Sequence, residues 1–190
     1  MKICIVGHGP SLVGAGKGEE IDSYPVVRLK QGWKQCFENP KDYGSRMDYI
    51  IASTETLGCL VNDKLKGFKG RYWAYPKYGW YDKRTVIDVE DELDADLEIP
   101  LNYINRINWE FRKTAKHPNV SLGMAAILYA ARLNPEEIVL AGFDTLLNPE
   151  LEFSRNNQIP RTGVGEYPNH DWVAENKLLN ELIKIPVRAI

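Results

Sequence analysis

Nowhere does this sequence hold the ~20 consecutive apolar residues that a helix needs to cross a bilayer, so no membrane span is expected. Met1 runs straight into a strand-like stretch with no small-residue cleavage site behind it, so no signal peptide is expected. Cysteine is scarce: Cys4, Cys36 and Cys59 are the only three, and no two share a C-x-x-C spacing. That argues against a disulfide framework or a zinc ribbon, and for a cytoplasmic chain in which Cys4 is a buried, inert thiol. Histidine is as sparse, and no His/Asp/Glu cluster has metal-ligand spacing, so no metal is expected. Charge of one sign is also missing. With 26% charged residues and a net charge of -2, nothing global points to nucleic acid or a membrane surface. No internal repeat or low-complexity linker divides the chain. Its 190 residues suffice for a real core, so residues 1–190 are expected to form one domain.

What is present is a coarse alternation of strands and helices. Apolar runs predict strands at 2–7, 25–30, 47–52 and 137–141, with a weaker one at 71–75. Helices are expected near 54–62, 101–115, 121–133 and 170–184. The fold class expected is α/β, a single Rossmann-like domain with a mainly parallel sheet. The first strand runs into "GHGPSLVGAG", which matches neither usual phosphate loop. A dinucleotide fingerprint would need glycine where Leu12 stands, and a P-loop would need Ser or Thr where Gly18 stands. Two readings stay open there: a ligand turn at a strand's carboxyl end, or glycines that merely permit a tight turn. The helix at 121–133 is apolar nearly all round, capped by Ser121, with Gly123 in its first turn. It too has two readings, a capped core helix or a helix N-terminus that receives an anion.

Charge divides the middle of the chain. Residues 62–84 hold seven Lys/Arg and seven aromatics, whereas 88–98 hold seven acids and no base. The basic stretch could stack its aromatics on sugar rings or bases; the plainer reading is a solvated region offset by the acidic run beside it. Residues 145–168 are long, polar and without regular pattern, as in a lid or binding loop. A helix capped by Asn169, with His170 in its first turn, is expected to follow.

Three blocks, in order, resemble the sialyltransferases, animal and bacterial. "IVGHGPSLVGAGKGEEIDSYPVVRLKQ" resembles the family's long motif, and its Gly9-Pro10-Ser11-Leu12 run is similar to that of the bacterial enzymes. "VSLGMAAILYAARLNPEEIVLAGFD" resembles the short motif, which ends in Gly-aromatic-Asp, here Asp144. "HDWVAE" resembles the small C-terminal motif, a His with a Glu five positions on. The resemblance implies a glycosyltransferase-A-like variant of the fold and a metal-independent, inverting transfer from a cytidine monophosphate (CMP) sugar. It implies donor binding by Gly7, His8, Gly9, Pro10, Ser11, Lys30, Ser121, Leu122, Gly123 and Asp144, with His170 as general base. Three positions depart from the family. His8 and Lys30 stand where it has nucleotide-binding Asn residues, and Leu122 stands where a hydroxyl would help bind the sialic acid carboxylate. The sugar therefore need not be a sialic acid.

The expected function is transfer of a sugar from a nucleotide-sugar donor to a hydroxyl acceptor such as a glycan. The alternatives are a related transferase that glycosylates a polymer such as modified nucleic acid, and a nucleotide-sugar-binding protein without turnover. The donor is a co-substrate, and no cofactor is expected. The nucleotide is expected between the 7–12 turn and the N-terminus of the 121–133 helix. Trp73, Tyr75, Tyr78 and Trp80, with the 145–168 loop, are the expected acceptor platform. Glu175 is expected off His170's face, because five residues along a helix is about 140° around it.

Overall fold

The short apolar runs and the amphipathic stretches between them build a layered α/β structure, seen in a computed structural model that describes residues 1–30, 32–54, 57, 68–76, 83–113, 115, 119–147 and 170–190. Among these residues the strands are β1 (Lys2–Val6), β2 (Val26–Leu29), β3 (Tyr49–Ser53), β4 (Arg71–Tyr75), β5 (Leu97–Glu98), β6 (Glu137–Ala141) and β7 (Val187–Ala189). They form one seven-stranded sheet in the order β5-β4-β3-β2-β1-β6-β7. Every neighbouring pair is parallel. The helices are α1 (Gly18–Asp22), α2 (Gly32–Glu38), α3 (Pro40–Tyr43), α4 (Lys83–Leu93), α5 (Leu101–Arg112), α6 (Leu122–Arg132), α7 (Asp144–Leu147) and α8 (Trp172–Leu182). The five expected strands all form, and the Rossmann-like class holds. The expected helix at 54–62 lies mostly outside the described residues. No helix among the described residues is long and apolar enough to cross a membrane.

A parallel sheet is covered on both faces, so its strands are apolar on both sides rather than alternating. Ile3 and Ile5 of β1, Val27 and Leu29 of β2, and Ile138 and Leu140 of β6 join a core with residues of α5, α6 and α8. Cys4 and Val6, Val26, and Val139 and Ala141 face the other way, toward Ile21 of α1 and Tyr43 of α3. The acidic run contributes α4 to a third cluster, because Val86, Val89 and Leu93 recur on one helical face beneath its carboxylates. Cys4 behaves as expected: burial pushes its thiol up to about 12. Cys59 lies outside the described residues.

The strand order places a switch point in the middle of the sheet. From β1 the chain steps outward through β2, β3, β4 and β5, then returns to lay β6 on the other side of β1. Ligands of open α/β sheets sit outside the carboxyl ends of the strands at such a reversal. Here that edge is formed by residues after Val6 and after Ala141, which are paired in register.

Two polar anchors shape the approach to this edge. Asp42 is buried and accepts the N–H groups of Gly14 at 2.7 Å and Gly16 at 2.9 Å. Those hydrogen bonds hold its carboxyl below the usual carboxylate range. Gly14 and Gly16 have left-handed φ values of 76° and 65°, the conformation glycine adopts without strain. The second half of the glycine-rich stretch is thus a closed loop around one carboxylate. Arg28, in the middle of β2 and fully buried, donates to Tyr43 O at 2.6 Å and to Arg46 O at 2.8 and 3.1 Å. Replacing Arg28 by Met would strand those carbonyls, and a buried acceptor left unmatched costs about 1–3 kcal/mol. Arg28→Met is expected to lower the unfolding free energy by about 2 kcal/mol in a denaturant titration, on that basis. An unchanged midpoint would show that the carbonyls find water instead.

Candidate functional site

At the switch point the two turns that leave β1 and β6 are bonded directly to each other. Gly7 N–H donates to Ala141 O and Gly9 N–H donates to Gly142 O, both at 2.8 Å. Ser11 N–H donates to Asp144 Oδ2 at 3.1 Å. Proline has no N–H, so three of the turn's amides between Gly7 and Ser11 are spent on the neighbouring turn. The contact is also too close for side chains. A Cβ on Gly7 would lie 2.5 Å from Gly142 O, and one on Gly9 would lie 2.6 Å from the same oxygen. The backbone of the β6 turn, by itself, requires glycine at both positions.

Phe143 then decides how this corner meets α6. Its ring is 7% exposed. Ring atoms lie 3.1 Å from where a Cβ on Gly7 would be and 2.9 Å from where one on Gly123 would be. The 7–12 turn and the α6 N-terminus were expected to face each other across a nucleotide. Between Gly7 and Gly123 that space holds the Phe143 ring. The part of the turn left open consists of His8, Pro10 and Ser11, all exposed, with Pro10 and Ser11 in a 3-10 turn, Pro10–Leu12. His8 leans toward the start of α2, with Nδ1 3.2 Å from Gln35 Oε1. Lys30 directly follows β2, with φ 46°. A non-glycine residue in the left-handed region costs about 1–2 kcal/mol, and asparagine bears it better than lysine.

The third motif closes the site from the other side. Ser121 caps α6, its hydroxyl accepting from Met124 N–H at 3.0 Å. Glu175, fully buried, accepts from Ser121 N–H at 2.7 Å and from the Ser121 hydroxyl at 2.6 Å. The same carboxylate lies 4.0 Å from His170 Nδ1. His170 packs on Trp172, ring centroids 4.9 Å apart, and its side chain is 27% exposed. The expected helix start needs correcting. Asp171 is the N-cap of α8, accepting from Ala174 N–H at 3.0 Å, so His170 precedes the helix; Asn169 lies outside the described residues. The 140° separation therefore does not apply, and Glu175 faces His170 after all.

The acceptor platform also needs correcting. Trp73 and Tyr75 are each 1% exposed. Trp73 Nε1 donates to Glu98 Oε2 at 3.0 Å, and its ring packs tilted on Tyr49 and edge-on against Tyr129. The Tyr75 hydroxyl donates to Val120 O at 2.9 Å. Both belong to the core, because β4 is an inner strand covered on both faces. Tyr78 and Trp80, and residues 148–168 of the expected loop, lie outside the described residues. Among the described residues no three His, Cys, Asp or Glu side chains converge as metal ligands.

No family model matches the sequence, and no curated protein does. Solved structures do. A crystal structure of a mammalian sialyltransferase is similar over 100% of this chain and 68% of that one, with a TM-score of 0.64 and 14% identity. A mammalian sialyltransferase in complex with Gal-beta-1-3GalNAc-ortho-nitrophenol gives 0.59 and 15%, with the same coverage. At that identity the likeness is one of fold.

The glycine contacts separate packing from ligand approach. Gly7→Ala and Gly9→Ala drive a methyl into a backbone carbonyl and are expected to destabilise by about 1–3 kcal/mol, the usual cost of overpacking. In Gly123→Ala only the edge of the Phe143 ring must move, and alanine gains up to about 1 kcal/mol of helix propensity, so its melting temperature is expected to stay near the parent's. Equal melting temperatures for all three variants would contradict this packing.

Proposed function

We propose that this protein is an inverting glycosyltransferase that moves a sugar from a nucleotide-sugar donor, first of all a CMP sugar, onto a hydroxyl acceptor without a metal. The observation that carries the reading is the chain of contacts from His170 through Glu175 to Ser121. Through these contacts His170 lies near the first turn of α6, which packs through Gly123 and Phe143 on the β1–β6 switch point. A fold like that of the mammalian sialyltransferases, matched over the whole chain, supports the same reading.

In this mechanism His170 takes the proton of the acceptor hydroxyl as that oxygen attacks the anomeric carbon. The bond from that carbon to the nucleotide phosphate breaks, and the electron pair leaves with the phosphate oxygen. Inversion follows from attack opposite the leaving group. With Nδ1 turned toward Glu175, Nε2 is the nitrogen left for the acceptor. A carboxylate 4.0 Å away favours the imidazolium that forms as the proton arrives. The two α6 amides not taken up by the cap, Leu122 N–H and Gly123 N–H, have no partner among the described residues and suit an oxygen that gains charge.

A second reading, nucleotide-sugar binding without turnover, is favoured by the glycine turn's spent amides. Donor hydrolysis across a nucleotide-sugar panel separates the two. His170→Ala is expected to lower transfer about 10²–10⁴-fold, the usual worth of a general base, while nucleotide affinity stays within about twofold. Transfer at the parental rate would remove His170 from the chemistry.

A further inference from the structure

His170 precedes α8, so the first turn of that helix does not hold it. Its Nδ1 lies 4.0 Å from the Glu175 carboxylate, too long for a hydrogen bond between those two atoms. A charge at that range attracts the imidazole but hardly orients it, because Coulomb attraction has no preferred angle. The contact that limits the ring is Trp172, with ring centroids 4.9 Å apart and planes inclined at 51°. That separation falls within the roughly 4.5–7 Å at which aromatic rings interact.

Trp172 opens α8 behind the Asp171 cap and packs against the core that α5, α6 and α8 share. Its Nε1 is buried with no hydrogen-bond partner among the described residues. An unmatched buried N–H is a cost, so ring packing, on the core and on the imidazole, keeps the indole in place. Ionisable groups on the elements around His170 are few among the described residues. Glu175 is one, and Asp171 is another, its carboxylate accepting Ala174 N–H. Farther along α8, Lys177 pairs with Glu181. Asp144 of α7 accepts Ser11 N–H, and the first turn of α6, Leu122 to Met124, carries no charge. The face of an indole attracts a cation, so Trp172 and Glu175 both favour the imidazolium over the neutral ring.

We propose that Trp172 is the positioning residue for His170. Its ring confines the imidazole, leaving Nε2 for the acceptor, and stabilises the imidazolium that forms when the acceptor's proton arrives. This rests on the glycosyltransferase reading and adds to it a residue that acts through the base rather than on a substrate.

Two substitutions separate the aromatic face from its bulk. Trp172→Phe keeps a ring and removes the unpartnered N–H, whereas Trp172→Leu fills the core without a π face. Should the Leu variant not fold, Trp172→Met, more adaptable in a core, serves the same comparison. The titration midpoint of His170 is read from its imidazole proton resonances in the protein without donor. Trp172→Leu is expected to lower it by about half a pH unit from the parent's, and Trp172→Phe to leave it in place. Hydrolysis of the fastest donor in the nucleotide-sugar panel, CMP-sialic acid included, is then followed against pH. Trp172→Leu is expected to lower kcat about tenfold or more with KM within about twofold, and Trp172→Phe to stay within about threefold of the parent. The acid limb of the Leu variant's profile is expected to move down with the midpoint, because a base that protonates less readily stays neutral to lower pH. A Trp172→Leu protein with the parent's midpoint, or with the parent's kcat, would overturn the proposal and leave His170 as the base. So would a Phe variant as impaired as the Leu variant. A parent that turns over no donor in the panel would sink the transferase reading and the proposal with it, whatever the His170 midpoint does.

Discussion

One backbone carbonyl, that of Gly142, holds the carboxyl edge of the sheet together. It accepts the Gly9 N–H and occupies the space that side chains on Gly7 and Gly9 would need. Gly142 is itself at φ 68°, and a Cβ there would lie 3.0 Å from Leu12 Cδ1 and 3.1 Å from Gly9 N. Each glycine is thus required by another. Phe143 follows, wedged between Gly7 and Gly123, and Asp144 ties down Ser11. Strands β1 and β6 are adjacent in the sheet but far apart in sequence, and this corner joins the first motif to the second.

The third motif joins them through charge rather than packing. Glu175 uses its carboxylate twice, as the acceptor that fixes the α6 cap and as the neighbour of His170. A buried carboxylate left without those donors is costly, so the α6 cap and the start of α8 are coupled. In the proposed reaction this coupling would keep His170 and the α6 N-terminus at one distance as an acceptor arrives. Preorganisation of this kind lets hydrogen bonds stabilise developing charge without rearranging at that moment.

Much of this was legible in the sequence. Continuous apolar runs such as "KICIV" and "EIVLA" mark strands buried on both faces, and Ser121 marks a cap. Shorter elements were not legible. The edge strands β5 and β7, of two and three residues, have no periodicity to read. Helix α4 hides its Val86, Val89 and Leu93 stripe among carboxylates. Trp73 and Tyr75 read as surface because they sit in a basic stretch, yet an inner parallel strand buries both faces. The glycines of the first turn looked like room for a ligand because their partner, the backbone of residue 142, carries no side-chain signal. Glu175 was misplaced by two residues of helix start: once Asp171 is the cap, His170 lies outside the helical wheel.

The proposed ligand site is the carboxyl edge at β1, β2 and α6. Elsewhere, Leu147, Asn176, Leu179, Asn180, Ile183 and Ile185 line a cavity of about 240 Å³ near β7. The two places are told apart by titrating CMP into ¹⁵N-labelled protein and following the amide resonances. The account predicts that the largest shifts fall on His8, Ser11, Lys30, Leu122 and Gly123, with His170 responding through Glu175. Shifts confined to Asn176, Leu179, Asn180 and Ile183, with the first turn silent, would contradict it.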